Sequence, residues 1–121
     1  MTELENDVMQ VVWKSGPCSV EAVHEIVSRN RDLKETTVRT LLRRLELKGY
    51  LSHEAEGRAY LYRAKEPARG LAARAVRQIL DRFCGGSLEE LVSGMVDANV
   101  LSKSEMNRLA DFVKSRRERD K

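Results

Sequence analysis

Cysteine, histidine and long apolar runs are all scarce in this chain of 121 residues. Its two cysteines, Cys18 and Cys84, lie far apart and form no CxxC pair, which argues against a disulfide framework or a zinc centre. Both are expected to be buried as small hydrophobes. The two histidines, His24 and His53, have no partner at metal-ligand or triad spacing, so neither a metal site nor a nucleophilic site is indicated. A glycine-rich phosphate loop is missing too, because Gly85-Gly86 has no preceding strand and no following lysine. No apolar run approaches the ~20 residues that cross a bilayer, and the segment through Asp7 is acidic where a secretory leader would be basic and then apolar. The expectation is a cytoplasmic protein with no membrane partner, no cofactor, no metal and no enzymatic activity.

What is present is a modest apolar complement inside a heavily charged surface, with 41% hydrophobic and 34% charged residues. That length suits one globular domain, or a compact domain with an appendage. The net charge of +3 permits an anionic partner without requiring one. Its distribution says more. Lys34, Arg39, Arg43, Arg44 and Lys48 face only Glu35 and Glu46 within their stretch, whereas the charges up to Asp7 are all acidic.

Apolar spacing divides the chain into elements. Leu4, Val8, Val11 and Val12 recur at helical intervals from Thr2 to Lys14, with Thr2 and Glu5 placed as a capping box. Gly16-Pro17 ends that helix, and Ser19 can cap a second one carrying Val20, Val23, Ile26 and Val27. After a turn at Asn30-Arg31-Asp32, Thr36 or Thr37 is expected to cap a third helix with Val38, Leu41, Leu42 and Leu45 on its inner face and Gly49 at its end. Tyr50–Ala55 and Ala59–Arg63 then read as a β-hairpin around Glu56-Gly57-Arg58, with Tyr60 and Tyr62 packing on the helices from one face. Trp13 is expected to be a core anchor.

Beyond Lys65-Glu66-Pro67, three amphipathic helices follow. The first carries Leu71, Ala75, Val76, Ile79, Leu80 and Phe83, and ends at Gly85-Gly86. The next is capped by Ser87 with Glu90, and the last by Ser102 with Glu105, before a charged tail running to Lys121. The expected fold is mainly α with a small β-hairpin wing: a winged helix-turn-helix domain over residues 1–64 and a three-helix dimerisation domain over 65–121.

Two helices joined by a short turn, the second with a basic outer face, fit the DNA major groove. With Val38, Leu41, Leu42 and Leu45 inward, the period of about 100° per residue sets Thr36, Thr40, Arg43 and Leu47 outward, flanked by Thr37, Arg39, Arg44 and Lys48. Threonine can meet a base edge or a thymine methyl, and arginine a guanine or a phosphate. Arg58 at the hairpin tip and Lys34 ahead of the third helix are candidates for the DNA backbone. The competing readings are a winged-helix module that binds protein, and a small thiol enzyme using Cys18 or Cys84.

The sequence resembles the penicillinase repressor family of bacterial regulators, the BlaI, MecI and CopY type. The likeness rests on Val8-Met9-Gln10-Val11-Val12-Trp13, on the string from Thr37 to Leu51, on Glu56–Arg63 and, more loosely, on Leu101–Leu109. It implies a homodimeric repressor that occupies a palindromic operator in double-stranded DNA, with a regulatory protease or sensor as a further partner. In the β-lactam branch the resemblance implies cleavage of an Asn-Phe bond in the penultimate helix; Gly94-Met95 stands there in this chain. The cysteine cluster of the copper branch is also missing.

A helical segment of about 55 residues is near the lower limit for independent folding, so a second copy is expected to complete its core. Leu71, Val76, Ile79, Phe83, Leu91, Met95, Leu109 and Phe112 are the candidates for that dimer interface.

Overall fold

The computed structural model describes residues 1–119, so Asp120 and Lys121 at the end of the charged tail lie outside the described residues. Three helices come first: α1 (Glu3–Ser15), α2 (Val20–Val27) and α3 (Glu35–Leu47). Each buries one apolar stripe, with Val8, Met9, Val11 and Val12 from α1, Val20, Val23 and Val27 from α2, and Val38, Leu41, Leu42 and Leu45 from α3. Full burial of such a side chain contributes about 1.5–3 kcal/mol, so this shared core is what holds the three short helices together.

Caps set where the first two begin. Thr2 Oγ1 accepts from the Glu5 backbone N–H at 3.1 Å while Glu5 Oε1 accepts from the Thr2 N–H at 2.9 Å, and Ser19 Oγ accepts from the Ala22 N–H at 3.2 Å. The third helix starts differently from the expectation that Thr36 or Thr37 caps it. Its N-cap is Lys34, in an extended conformation and making no side-chain cap bond, so both threonines already sit inside the first turn. At the other end Gly49 takes φ +91°, and the Tyr50 N–H returns to the Leu45 carbonyl at 3.0 Å.

The hairpin pairs β1 (Leu51–Glu56) with β2 (Ala59–Ala64), antiparallel, from Leu51↔Ala64 at its base to Glu56↔Ala59 at its tip. Gly57-Arg58 is its two-residue loop, with Gly57 at φ +61°, a value suited to glycine at the first loop position. The outer edge of β2 is not left open at Tyr62, because the Cys18 N–H donates to the Tyr62 carbonyl at 3.0 Å and the Tyr62 N–H to the Cys18 carbonyl at 2.8 Å. The linker between α1 and α2 thereby stitches the wing to the helices. Tyr62 is 2% exposed and completes the core with Leu51.

Tyr60 corrects the expectation that both tyrosines pack on the helices. It shares Tyr62's face of β2, but two residues nearer the tip the strand has passed the helical body, and Tyr60 is 48% exposed. Cys84 is a second correction: Cys18 is buried, whereas Cys84, just past the end of its helix, is only half-buried. Trp13 is half-buried against the core and donates its indole N–H to the Glu66 carbonyl at 3.1 Å.

The first compact unit runs Met1–Ala72 and the second Ala73–Lys121, dividing inside α4 (Ala68–Phe83); α5 (Leu88–Asp97) and α6 (Lys103–Arg119) follow. Ser102 and Glu105 form the full capping box of α6, while at α5 the Ser87 hydroxyl accepts from the Glu90 N–H but itself turns to Glu89. Leu80 is the one buried side chain among the described residues of these three helices. No helix among the described residues is long and apolar enough to cross a membrane.

Candidate nucleic-acid interface

The outer face of α3 carries most of the residues proposed from sequence. Thr36, Thr40, Arg43 and Arg44 are exposed, Thr37 and Arg39 half-buried. Leu47 lies on the same face and is 88% exposed, an unusual place for a leucine unless something covers it. Helical period explains the pattern, since the inner stripe Val38, Leu41, Leu42 and Leu45 uses up the positions that face the core.

Hydrogen bonding separates these side chains into committed and uncommitted groups. Thr40 Oγ1 donates to the Thr36 carbonyl at 3.0 Å, which leaves its methyl and its acceptor lone pairs outward. Arg39 is paired with Glu35 one turn back at 3.1 Å. Arg43, Arg44, Arg58 and Lys34 make no hydrogen bond or ion pair among the described residues. Lys48 is different again: its ammonium donates to both carboxylate oxygens of Glu5, at 2.9 and 3.1 Å, giving it an intramolecular partner that its place in the sequence does not announce.

Glu5 is the reason. Its side chain is fully buried, and burial of an ionised carboxylate is tolerated only when donors surround it. The Thr2 backbone N–H, foremost, and the Lys48 ammonium after it hold its pKa down to about 2.

The wing and α3 meet around a cleft of about 240 Å³ whose walls include Arg39 and Arg43 from α3, Arg58 from the hairpin tip, Tyr60 and Tyr62 from β2, and Glu21 from α2. Three guanidinium groups thus converge on one concavity. Tyr62 is buried, and that burial, with the Glu46 carboxylate second, pushes its phenol up. Beside the cleft, His53 Nδ1 lies 2.6 Å from Glu46 Oε2, and the His53 ring stacks on Tyr60 with centroids 4.3 Å apart. Sequence reading missed both this contact and the Glu5–Lys48 pair. Only the capping-box spacing singled out Glu5, and nothing in the periodicity signals the pairing of His53 with Glu46.

A family model, the penicillinase repressor, matches residues 1–115. The chain belongs to the penicillinase repressor family. It is accordingly a winged helix-turn-helix, DNA-binding transcriptional regulator of the repressor type, and not an enzyme. Over 121 residues, all of this chain and 94% of the relative, it is 28% identical to the penicillinase repressor of Bacillus licheniformis. Over 113 residues, 93% of this chain and 92% of the other, it is 22% identical to the methicillin resistance regulatory protein MecI of Mammaliicoccus sciuri. Among solved structures it is similar to the DNA-binding domain of the repressor BlaI, at 31% identity and a TM-score of 0.52, over 56% of this chain and 83% of that one. The monomeric form of Bacillus licheniformis BlaI in complex with the blaP half-operator matches over the same shares, at 31% identity and a TM-score of 0.50.

Membership of the penicillinase repressor family agrees with the chemistry of the cysteines. Burial pushes the Cys18 thiol up, away from the thiolate that a nucleophile needs. No cluster of three or more histidine, cysteine or acidic side chains suited to a metal occurs among the described residues.

Proposed function

We propose that this repressor works as a homodimer on a palindromic operator, with α3 of each subunit in a major groove. The observation that carries the reading is the outer face of α3, where Thr36, Thr40, Arg43, Arg44 and Leu47 are exposed and the last two arginines of the helix have no acidic partner. A polyanion supplies that partner. Arg44 and Arg43 reach base edges or flanking phosphates, Thr36, Thr37 and Thr40 meet base edges near the start of the helix, and Arg39 joins them by exchanging Glu35 for DNA. Lys34, at the uncapped start of α3, and Arg58, at the wing tip, contact the backbone on either side. Lys48 contributes by neutralising Glu5 and so fixing where the C-terminal end of α3 lies.

The second copy is argued from apolar exposure. Of the eight proposed interface residues, Val76, Ile79, Phe83, Leu109 and Phe112 are exposed, and Leu71, Leu91 and Met95 half-buried. Phe83 alone is 79% exposed. Apolar surface on this scale, on helices that bury a single leucine of their own, is covered favourably by an identical surface related by a two-fold axis. Two recognition helices held together then bind two half-sites with the gain of high effective concentration. A regulatory protease or sensor remains part of the reading as the partner that relieves repression, and Gly94-Met95 within α5 departs from the Asn-Phe bond of the β-lactam branch.

The test is selection of bound sequences from a random DNA pool with the full chain. A two-fold symmetric motif, bound in the nanomolar range with an affinity that falls steeply with salt, is the expected result. Recovery of no motif, or an affinity indifferent to salt, would refute it.

A further inference from the structure

The contact between His53 and Glu46 joins the two parts of the interface. Glu46 belongs to the recognition helix and His53 to β1 of the wing, and their 2.6 Å contact is a direct polar link between a side chain of α3 and one of the hairpin. Its ring face stacks on Tyr60, two residues from Arg58 at the tip. Across the hairpin it is register partner of Tyr62, with ring centroids 5.6 Å apart. Arg58 itself makes no hydrogen bond or ion pair among the described residues, so its position beside Arg43 in the cleft depends on how the hairpin is held.

We propose that His53 is a positioning residue for DNA binding: by bridging Glu46 and Tyr60 it fixes the wing, and Arg58 at its tip, against α3. This rests on the DNA-binding reading above. The imidazole N–H donates to the Glu46 carboxylate while the ring face packs on Tyr60, so one side chain ties the recognition helix to the hairpin.

Glu46 is the acid in contact with His53, and Glu54 on the same strand is tied to Arg63 at 3.3 Å. Arg39 and Arg43 from α3 and Glu21 from α2 line the cleft together with Tyr60 and Tyr62.

Operator affinity of the full chain, measured at constant pH and ionic strength on the selected DNA, tests this. His53→Gln and, independently, Glu46→Gln are expected to weaken binding by roughly three- to tenfold, with folding of each checked by circular dichroism. Arg58→Gln weakens binding in the wild-type background and has less than about half that effect, on a logarithmic scale, when combined with His53→Gln. Wild-type affinity in Glu46→Gln would mean that the bridge does not hold the wing for DNA, and equal Arg58→Gln effects in both backgrounds would mean that the wing needs no bridge; either overturns the proposal while leaving DNA binding intact. Absence of operator binding by wild type overturns both.

Discussion

Glu5 and Lys48 stand 43 residues apart in sequence, yet the Lys48 ammonium lies 2.9 Å from the Glu5 carboxylate. The pair fastens the first turn of α1 to the cap at the end of α3, and it does so with the glutamate fully buried and the lysine half-exposed. Replacing Glu5 by alanine is expected to cost about 2–4 kcal/mol, because Lys48 and the Thr2 N–H both lose their acceptor at once. Chemical denaturation at neutral pH measures it; a loss under about 0.5 kcal/mol would show that the pair contributes nothing.

The same carboxylate sets an acid limit. Its folded-state pKa is depressed to about 2, below that of the unfolded chain, so its stabilisation is complete above about pH 4.5 and declines as the pH falls towards 2. Stability of wild type is expected to drop more steeply over that window than stability of Glu5→Gln. Parallel curves for the two proteins would contradict the assignment.

Arg43→Glu combined with Arg44→Glu puts two acids where a polyanion is proposed to lie. Operator binding is expected to fall by at least about a hundredfold, while the denaturation midpoint and the solution mass stay those of wild type. Retained binding would remove α3 from the interface.

Leu42 and Leu47 occupy the same helix and behave oppositely. Leu42→Ala empties a fully buried position and is expected to destabilise by about 2–5 kcal/mol, whereas Leu47→Ala, at an exposed one, stays within about 0.5 kcal/mol. Any loss of DNA affinity in Leu47→Ala therefore reports contact rather than folding.

Phe83→Glu and Phe112→Glu test the second copy. Each sets a charge on an exposed apolar side chain, and sedimentation is expected to show a shift from dimer to monomer together with weaker operator binding. A wild-type mass equal to one subunit across the micromolar range would refute the homodimer outright.

Local chemistry makes much of this protein legible in its sequence. The capping boxes at Thr2-Glu5 and Ser102-Glu105, the inner stripe of α3 and the glycine at the end of that helix are determined within a few residues of chain, and the structure has them where the spacing put them. The exposed Thr36, Thr40, Arg43 and Arg44 follow from the same period, because choosing the core face of a helix also chooses its outer face. The N-cap of α3 was misread since threonine's cap propensity competes with helix propagation, and here Lys34 caps through its backbone alone.

Tertiary structure alone decided the rest. That Lys48 answers Glu5, that His53 reaches Glu46, that Tyr60 leaves the core which Tyr62 enters, and that Arg58 shares a cleft with Arg43 all depend on how separate elements are docked. Helical and strand periods fix only which way a side chain points from its own element. The partner it meets is set by packing between elements, and such contacts, whether 7 residues apart as in His53–Glu46 or 43 as in Lys48–Glu5, follow no period from which to read them.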